Sequence, residues 1–448
     1  MNTPVRSSKS LGLWMNGHFV GTWSLESGGD VLQYDSEWVA SPLRRPLSLS
    51  LPFTPGNRPH KGDVVRFYFE NLLPDSKDIR ERVARRYQVG STDAYTLLRE
   101  IGRDCVGALQ IVPAGGTPPT DLRVQAEPLS DAQVAQLIRL TVQPAAYGDR
   151  EVRDDFRISI AGAQEKTALT FWQGRWCRPL GATPTTHIFK LPMGVIGNLQ
   201  LDMRHSVENE WLCAQLVAAF GLPVAHCEML QFEDQKILGV ERFDRRWGQG
   251  EQLLRLPQED MCQATGTSPV LKYEADGGPG VDRIMALLDG SAERERDRYR
   301  FFMAQLLFWM LSATDGHAKN FSLFLRAQGA FEMAPLYDVL SVYPMLGEGP
   351  GKLSVHRARM AMAVRSKNAH WQVNKILLRH WQAVGARYGI VSPRGFGVDD
   401  LIEKAVQHTP AAVQLVQTQL PQGFPMEVAE PIFDGLLDAA QRLGRAFG

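Results

Sequence analysis

"SATDGHAKNFSLFL", residues 312–325, sets Asp315, His317, Lys319 and Asn320 close together between two apolar runs. The run before it, "FFMAQLLFWML" (301–311), is hydrophobic on all sides and predicts a buried helix. The run after it, "FSLFL", predicts a strand, and "MAPLYDVLS" then delivers Asp338 behind another short apolar segment. A burst of polar groups behind a buried helix is unusual. Two carboxylates and an amide on loops beside a hairpin can supply hard oxygen ligands for Mg²⁺ and one base.

Working outward, the strand "THIFK" ends in Lys190, and the loop "AGAQEK" (161–166) follows the alternating "RISI" (157–160) that carries Ser159. Phosphoryl transfer needs a carboxylate to accept the attacking hydroxyl's proton, an amide and a carboxylate on metal, a lysine on the phosphates, and a covering loop. The chain offers each in the expected order, from the loop through Lys190 to Asp315, Asn320 and Asp338. Lys190 is placed to reach α- and β-phosphates, with Glu208 or Glu210 of the next helix to orient it. Asp315 precedes Asn320 by five residues, the spacing of the catalytic aspartate and metal-binding asparagine in protein kinases.

Each of these residues alone has a plainer reading. Asp-Gly is usually a turn, a lysine at a strand end is usually solvated, and Ser159 in an alternating strand is usually a spacer. "AGAQEK" holds one glycine and matches neither the Walker loop nor GxGxxG. Their joint order favours the phosphoryl-transfer reading.

Composition limits the alternatives. At 448 residues the chain exceeds the roughly 250 to 300 that one core supports, so two or three domains are expected. Lysine plus arginine equals aspartate plus glutamate, 49 against 49, so no global charge draws it to nucleic acid or anionic membrane. Five scattered cysteines without a CxxC pair suit a reduced cytoplasmic chain without structural zinc. The N-terminal residues lack an apolar run of signal-peptide length, and 301–311 is too short to span a bilayer, so no membrane association is expected.

Asn16-Gly17 between apolar alternations predicts a hairpin, and the chain turns helical from about Asp75. The proline- and glycine-rich "PAGGTPPTDLRVQAEP" (113–128) reads as a linker between a first domain (1–112) and the rest. Ser130 is placed to cap a helix over "DAQVAQLIRL". Strand-like pieces follow, then a helix from Ser206 to Phe220 stopped by Gly221, then a hairpin ending near 243. That stretch, 129–255, predicts a small sheet-rich lobe, and 256–448 a mainly helical one. The basic runs "RERVARR" (80–86) and "RERDRYR" (294–300) predict solvated helix faces. "RFDRRW" (242–247) is denser and could pair or stack at a surface through Trp247, and "NKILLRHWQAVGARYG" (374–389) predicts an ordinary amphipathic helix rather than a patch of Lys375, Arg379 and Arg387 for a DNA backbone.

"ISIAGAQEKTAL", "TPTTHIFKLP", "VERFDRRW", "LRLPQEDMCQ", "YEADGGPG", "ATDGHAKNFS" and "PLYDVLS" occur in this order, with "FYFENLLPDS" and "GRDCVGALQIVP" ahead of them. Together they resemble the HipA-type toxin kinases of bacterial type II toxin–antitoxin modules, over nearly the whole chain from about residue 10. The resemblance implies an α+β, two-lobed serine/threonine protein kinase, distantly like phosphatidylinositol kinases, with a small β-rich N-terminal subdomain. It implies ATP and Mg²⁺ as cofactors. It assigns the phosphate loop to Ala161, Gly162, Ala163, Gln164, Glu165 and Lys166, the phosphate-binding lysine to Lys190, and an adenine-reading hinge to Glu241, Arg242 and Phe243. Asp315 becomes the proton acceptor, and His317, Ala318, Lys319 and Asn320 complete the catalytic loop. Asp338, after Tyr337, binds Mg²⁺ together with Asn320, and Ser159 matches an autophosphorylated serine.

The resemblance further implies a small dimeric helix-turn-helix antitoxin, operator DNA contacted mainly through that antitoxin, and a substrate in the translation machinery, of the aminoacyl-tRNA synthetase class. Two competing functions follow from the same residues: a nucleotide-binding corepressor with little catalysis, and a lipid or small-molecule kinase. Intact Lys190, Asp315, Asn320 and Asp338 speak against the first. The lack of a lipid-facing amphipathic or basic segment speaks against the second.

Overall fold

The computed structural model describes residues 10–142, 162, 164–197 and 199–445. The chain opens with an antiparallel five-stranded sheet built from Ser10–Met15, His18–Glu26, Gly29–Tyr34, His60–Lys61 and Leu109–Pro113. Its first turn is the expected hairpin: Asn16 and Gly17 both have positive φ, 45° and 83°, as a two-residue turn matched to strand twist requires. The helices Asp63–Glu70, Lys77–Tyr87 and Ala94–Ile101 cover this sheet, and Trp23 stacks on Phe69 at 3.7 Å in the shared core.

A second sheet of six antiparallel strands runs, in spatial order, Cys227–Phe232, Gln235–Glu241, His187–Lys190, Lys166–Trp172, Arg175–Pro179 and Ala126–Pro128. Its edge strand Ala126–Pro128 comes from the proline-rich stretch. Side-chain alternation along a strand gives the sheet two different faces. Phe189 and Ile237 share a core with Val134, Leu137 and Ile138 of the helix Asp131–Val142, whose N-terminus Ser130 caps together with Gln133. Leu238 and Val240 turn the other way, into a core shared with the helix Ser206–Ala219.

The remainder is dominated by helices: Arg294–Met310, Leu378–Tyr388, Val398–Thr418 and Met426–Gly444. Residues 301–310 are buried on every side, as their uniform hydrophobicity predicts. A three-stranded sheet of Gln258–Asp260, Ser322–Leu325 and Phe331–Met333 follows the polar burst and holds it against the helical core. No helix among the described residues is long and apolar enough to cross a membrane.

The arginine runs differ from expectation. Within 80–86, Arg80 pairs with Glu70, Arg82 reaches Glu165 at 2.7 Å, and buried Arg86 donates to the Leu140 carbonyl. This face is an inter-domain contact, because its guanidinium groups find carboxylate and carbonyl partners across the boundary. Within 294–300, Asp297 is fully buried and accepts from the Ser291 hydroxyl and the Met333 N–H. In 242–247 only the end of the run stays at the surface: Trp247 is exposed, while Arg242 and Asp244 are buried.

Candidate active site

Lys190 closes the strand His187–Lys190, which is hydrogen-bonded to neighbours on both sides. With Phe189 in the core, alternation turns Lys190 to the opposite face, over the helix Ser206–Ala219. Its ammonium donates to Glu210 at 2.5 Å and to Asp338 at 2.6 Å. Of the two glutamates expected there, Glu208 is engaged elsewhere, by Lys236 at 2.6 Å. Burial opposes the charge on Lys190, but Asp338 and Glu210 outweigh it and raise its pKa. Burial likewise opposes the Asp338 carboxylate, yet Lys190 and Lys166 hold it well below the usual carboxylate range.

Lys166 lies directly across from Lys190 in the sheet. Burial, reinforced by the neighbouring Lys190 charge, pushes its ammonium down to about 8. The loop ahead of it passes very close: Gly162 has φ +111°, and a Cβ there would sit 2.6 Å from the Lys166 ammonium. The positive φ favours glycine here, since a side chain would be strained whatever room the Lys166 side chain gave up. Gln164 donates to the Leu191 carbonyl at 2.5 Å, and Glu165 accepts the Leu191 N–H at 3.1 Å on its backbone and Arg82 at 2.7 Å on its carboxylate. Ser159, Ala161 and Ala163 lie outside the described residues.

After the buried helix the chain turns at Ser312 and exposes Asp315, whose carboxylate accepts the Tyr273 hydroxyl at 2.6 Å. Asn320 binds two loops together: its amide nitrogen donates to the Asp315 carbonyl at 3.0 Å and to the Asp338 carbonyl at 3.4 Å. His317 is buried edge-on against the Tyr273 ring at 5.1 Å, and burial lowers its pKa. Among the described residues its Nδ1 has no hydrogen-bond partner. The Ala318 N–H donates to the Lys272 carbonyl at 3.2 Å, and the Lys319 ammonium donates to Asp75 at 2.9 Å and to the Asn71 carbonyl at 3.2 Å.

The Tyr337 hydroxyl donates to the Lys319 carbonyl at 2.7 Å, tying the Asp338 loop to the catalytic-loop candidate. Asp338 itself has φ +62°, a left-handed conformation that costs a non-glycine residue on the order of 1 kcal/mol or more. Its surroundings impose it. Asn209 exchanges two 2.8 Å bonds with the Ser341 backbone, and the Ser341 hydroxyl donates to the Leu311 carbonyl at 2.6 Å. One helix therefore sets both sides of the site, Asn209 for the Asp338 loop and Glu210 for Lys190.

Glu241, Arg242 and Phe243 leave the sheet beside this cluster, with the Phe243 ring 5.8 Å from Tyr337. The Glu241 and Arg242 N–H groups already donate, to the His226 and Thr186 carbonyls, both at 2.8 Å. The Arg242 side chain points into a buried network in which Asp104 accepts from Arg242, Arg245, Arg255 and Thr185. Asp244 completes it, bonding Arg242 at 2.8 Å and the Gly107 N–H at 2.6 Å.

The donor set suits a nucleotide triphosphate with a hard cation. Lys166 and Lys190 put two ammonium groups side by side, a receptive surface for a polyanion, beneath a loop that approaches without a Cβ. Asn320 spends its nitrogen on Asp315 and Asp338, leaving its oxygen as the donor a cation would use. No group of three or more His, Cys, Asp or Glu among the described residues could hold a metal by itself. A Mg²⁺ ion here would therefore draw further oxygens from bound phosphate and water, its usual habit.

Sequence reasoning missed Asp75, Tyr273 and Asn209. All three reach the site from segments that carry no motif of their own, although "FYFENLLPDS" and "YEADGGPG", which contain Asp75 and Tyr273, are among the strings that carry the resemblance.

Comparison with known proteins gives the family and the fold. Residues 11–112 match the family described as HipA N-terminal domain, and residues 158–413 match HipA-like C-terminal domain. A Sinorhizobium fredii protein that carries a kinase name, Y4mE, is 33% identical over 349 residues, spanning 75% of this chain and 78% of its own. The serine/threonine-protein kinase toxin HipA of Shewanella oneidensis is 30% identical over 339 residues, 72% of this chain and 73% of its own. A solved complex of Shewanella oneidensis HipA, HipB and operator DNA superposes with a TM-score of 0.77 at 24% identity, covering 97% of both chains, so the mixed α/β fold is shared.

Proposed function

The chain belongs to the HipA family of serine/threonine kinases, and we propose that it is an ATP- and Mg²⁺-dependent protein kinase acting as the toxin of a toxin–antitoxin module. In this reading the six-stranded sheet and the helical part are the two lobes of a protein-kinase-like, phosphatidylinositol-kinase-like fold, with the N-terminal domain, described over residues 10–112, packed on them. The observation that carries it is the convergence of Lys190, Asp338, Asn320 and Asp315 through a continuous set of hydrogen bonds, from side chain to side chain at Lys190–Asp338 and from the Asn320 side chain to the Asp338 and Asp315 carbonyls.

Each residue has a role its surroundings support. Asp315, the exposed carboxylate, accepts the proton of an acceptor serine or threonine hydroxyl; Tyr273 already presents a hydroxyl to that carboxylate. Lys190, fixed by Glu210, holds the α- and β-phosphates with Lys166 beside it, and the phosphate loop assigned to residues 161–166 covers them. Asn320 and Asp338 hold Mg²⁺, which when bound neutralises charge on the phosphates. His317 to Asn320 keep the loop rigid against the helical core, and Glu241 to Phe243 line the adenine end.

The proposal extends to regulation and partners. Phosphate on Ser159 adds roughly −1.5 to −2 of charge beside the phosphate loop, repelling the nucleotide and favouring an open loop. The solved HipA–HipB–DNA neighbour supports a small helix-turn-helix antitoxin as partner, with operator DNA met mainly through it. A translation protein of the aminoacyl-tRNA synthetase class is the proposed substrate. Purified protein with labelled ATP tests the core of this reading. Label on Ser159 or on an extract protein, lost in Asp315→Ala, is expected; no label on either, with Asp315→Ala indistinguishable from wild type, would leave the corepressor reading standing.

A further inference from the structure

Asp75 belongs to the N-terminal domain yet touches both loops of the proposed active site. Its backbone N–H donates to the Gly162 carbonyl at 3.0 Å, beside a parallel bridge between Pro74 and Gly162. Its carboxylate divides its oxygens: Oδ1 accepts the Lys319 ammonium at 2.9 Å and Oδ2 the Lys272 ammonium at 2.8 Å. The Lys319 side chain is 4% exposed and donates its other bond to the Asn71 carbonyl, also in the N-terminal domain. Burial opposes the Asp75 charge, but Lys319 and Lys272 outweigh it and hold the carboxyl down at about 2.

Each lysine leads directly to a residue of the proposed chemistry. Lys319 precedes Asn320, which bonds the Asp315 and Asp338 carbonyls. Lys272 precedes Tyr273, whose hydroxyl meets the Asp315 carboxylate, and its own carbonyl receives the Ala318 N–H. Without the shared carboxylate, two neighbouring ammonium groups, one deeply buried, would repel each other and lose their counter-charge. The pair would then stop constraining the residues on either side of it.

We propose that Asp75 is a positioning residue for phosphoryl transfer: from the N-terminal domain it clasps Lys319 and Lys272 and so holds the catalytic loop in register with the phosphate loop. The proposal rests on the kinase reading above. It makes the N-terminal domain part of the catalytic apparatus, acting in cis, beyond its packing role.

The test uses the full-length chain with Asp75→Asn, which preserves volume and the backbone N–H to Gly162 while removing the charge. Expected is a fall in kcat of about tenfold or more with the KM for ATP changed less than about threefold. Faster amide exchange across residues 312–320 and a lowered melting temperature should accompany it, so kcat is taken per mole of folded protein. Combined with Lys319→Met, Asp75→Asn should cost less than it does alone, because the two residues act through one contact. If wild type is active and Asp75→Asn matches it in kcat and exchange, the clasp is wrong and the kinase reading survives. A loss of kcat that only tracks a loss of folded protein also overturns the clasp. If wild type transfers no phosphate, the kinase reading falls, and exchange across 312–320 alone decides whether Asp75 orders the loop.

Discussion

Lys190 on a central strand and Asp338 on a loop 148 residues later share a 2.6 Å ion pair, and the same ammonium takes Glu210 at 2.5 Å. The three groups come from a sheet, a loop and a helix, so this contact fixes the relative placement of three elements. It also balances one buried ammonium against two carboxylates, the arrangement that keeps Lys190 charged despite its burial.

The choice between the two glutamates is directly measurable. Glu210→Gln should lower phosphoryl transfer by about tenfold or more, because it removes a buried partner of the phosphate-binding lysine. Glu208→Gln should stay within about twofold of wild type, since Glu208 pairs with half-exposed Lys236 away from the site. Steady-state kinetics on both variants would expose an error if their order were reversed.

Tyr273→Phe removes the hydroxyl that meets the Asp315 carboxylate while keeping the ring against His317. The expected outcome is a drop in kcat of about threefold to tenfold from a less well-oriented base. Folding stability should change by about 1 kcal/mol or less, the net worth of one hydrogen bond. Kinetics paired with thermal melting checks both halves, and an unchanged kcat would count against an orienting role.

Glu259 and Asp260 should make stability fall as pH rises from about 4.5 toward 8, while partly buried His187, held down at about 4, contributes the opposite trend below about 6.5. Glu259 is fully buried, accepts the Leu49 N–H at 2.9 Å, and is pushed up to about 8 by burial. Asp260 is likewise pushed up to about 6 by burial. A carboxyl whose folded pKa is raised contributes most below its unfolded value and loses that contribution as pH climbs through the folded one. For one group the slope is at most about 1.4 kcal/mol per pH unit. Chemical denaturation between about pH 6.5 and 8 should show the decline, and Glu259→Gln should flatten most of it.

Asp104→Asn should be strongly destabilising. It withdraws the carboxylate shared by Arg242, Arg245 and Arg255, all nearly inaccessible to solvent. Removing one member of a buried charged network typically costs about 3 to 5 kcal/mol, because the remaining charges stay buried without compensation. A melting temperature within a degree or two of wild type would show that Asp244 alone sustains the network.

Much of the site was legible because its residues are local in sequence. The five-residue spacing of Asp315 and Asn320, the lysine ending "THIFK" and the aspartate ending "PLYD" each sit at the end of an apolar run, and such runs reveal where a buried element stops. The Asn-Gly turn and the Ser130 cap were legible for the same reason, since turn and cap chemistry depends on neighbouring residues.

Arg82 and Arg86 of 80–86 and Asp297 of 294–300 were misread by the same local reasoning, while Arg85 and Arg294 stay exposed. Helical spacing with interleaved acids looks like a solvated face until another element is laid against it.

The sequence by itself determined which residues could do chemistry here and which family they belong to, because spacing and element ends are written in consecutive residues. Only the tertiary structure decided that Glu210 and not Glu208 serves Lys190, that Tyr273 meets Asp315, and that Asp75 holds Lys319 and Lys272. Those choices depend on which helix face meets the sheet and which distant loop is carried over the site. Packing sets both, between segments 20 to 244 residues apart, where local periodicity has no reach.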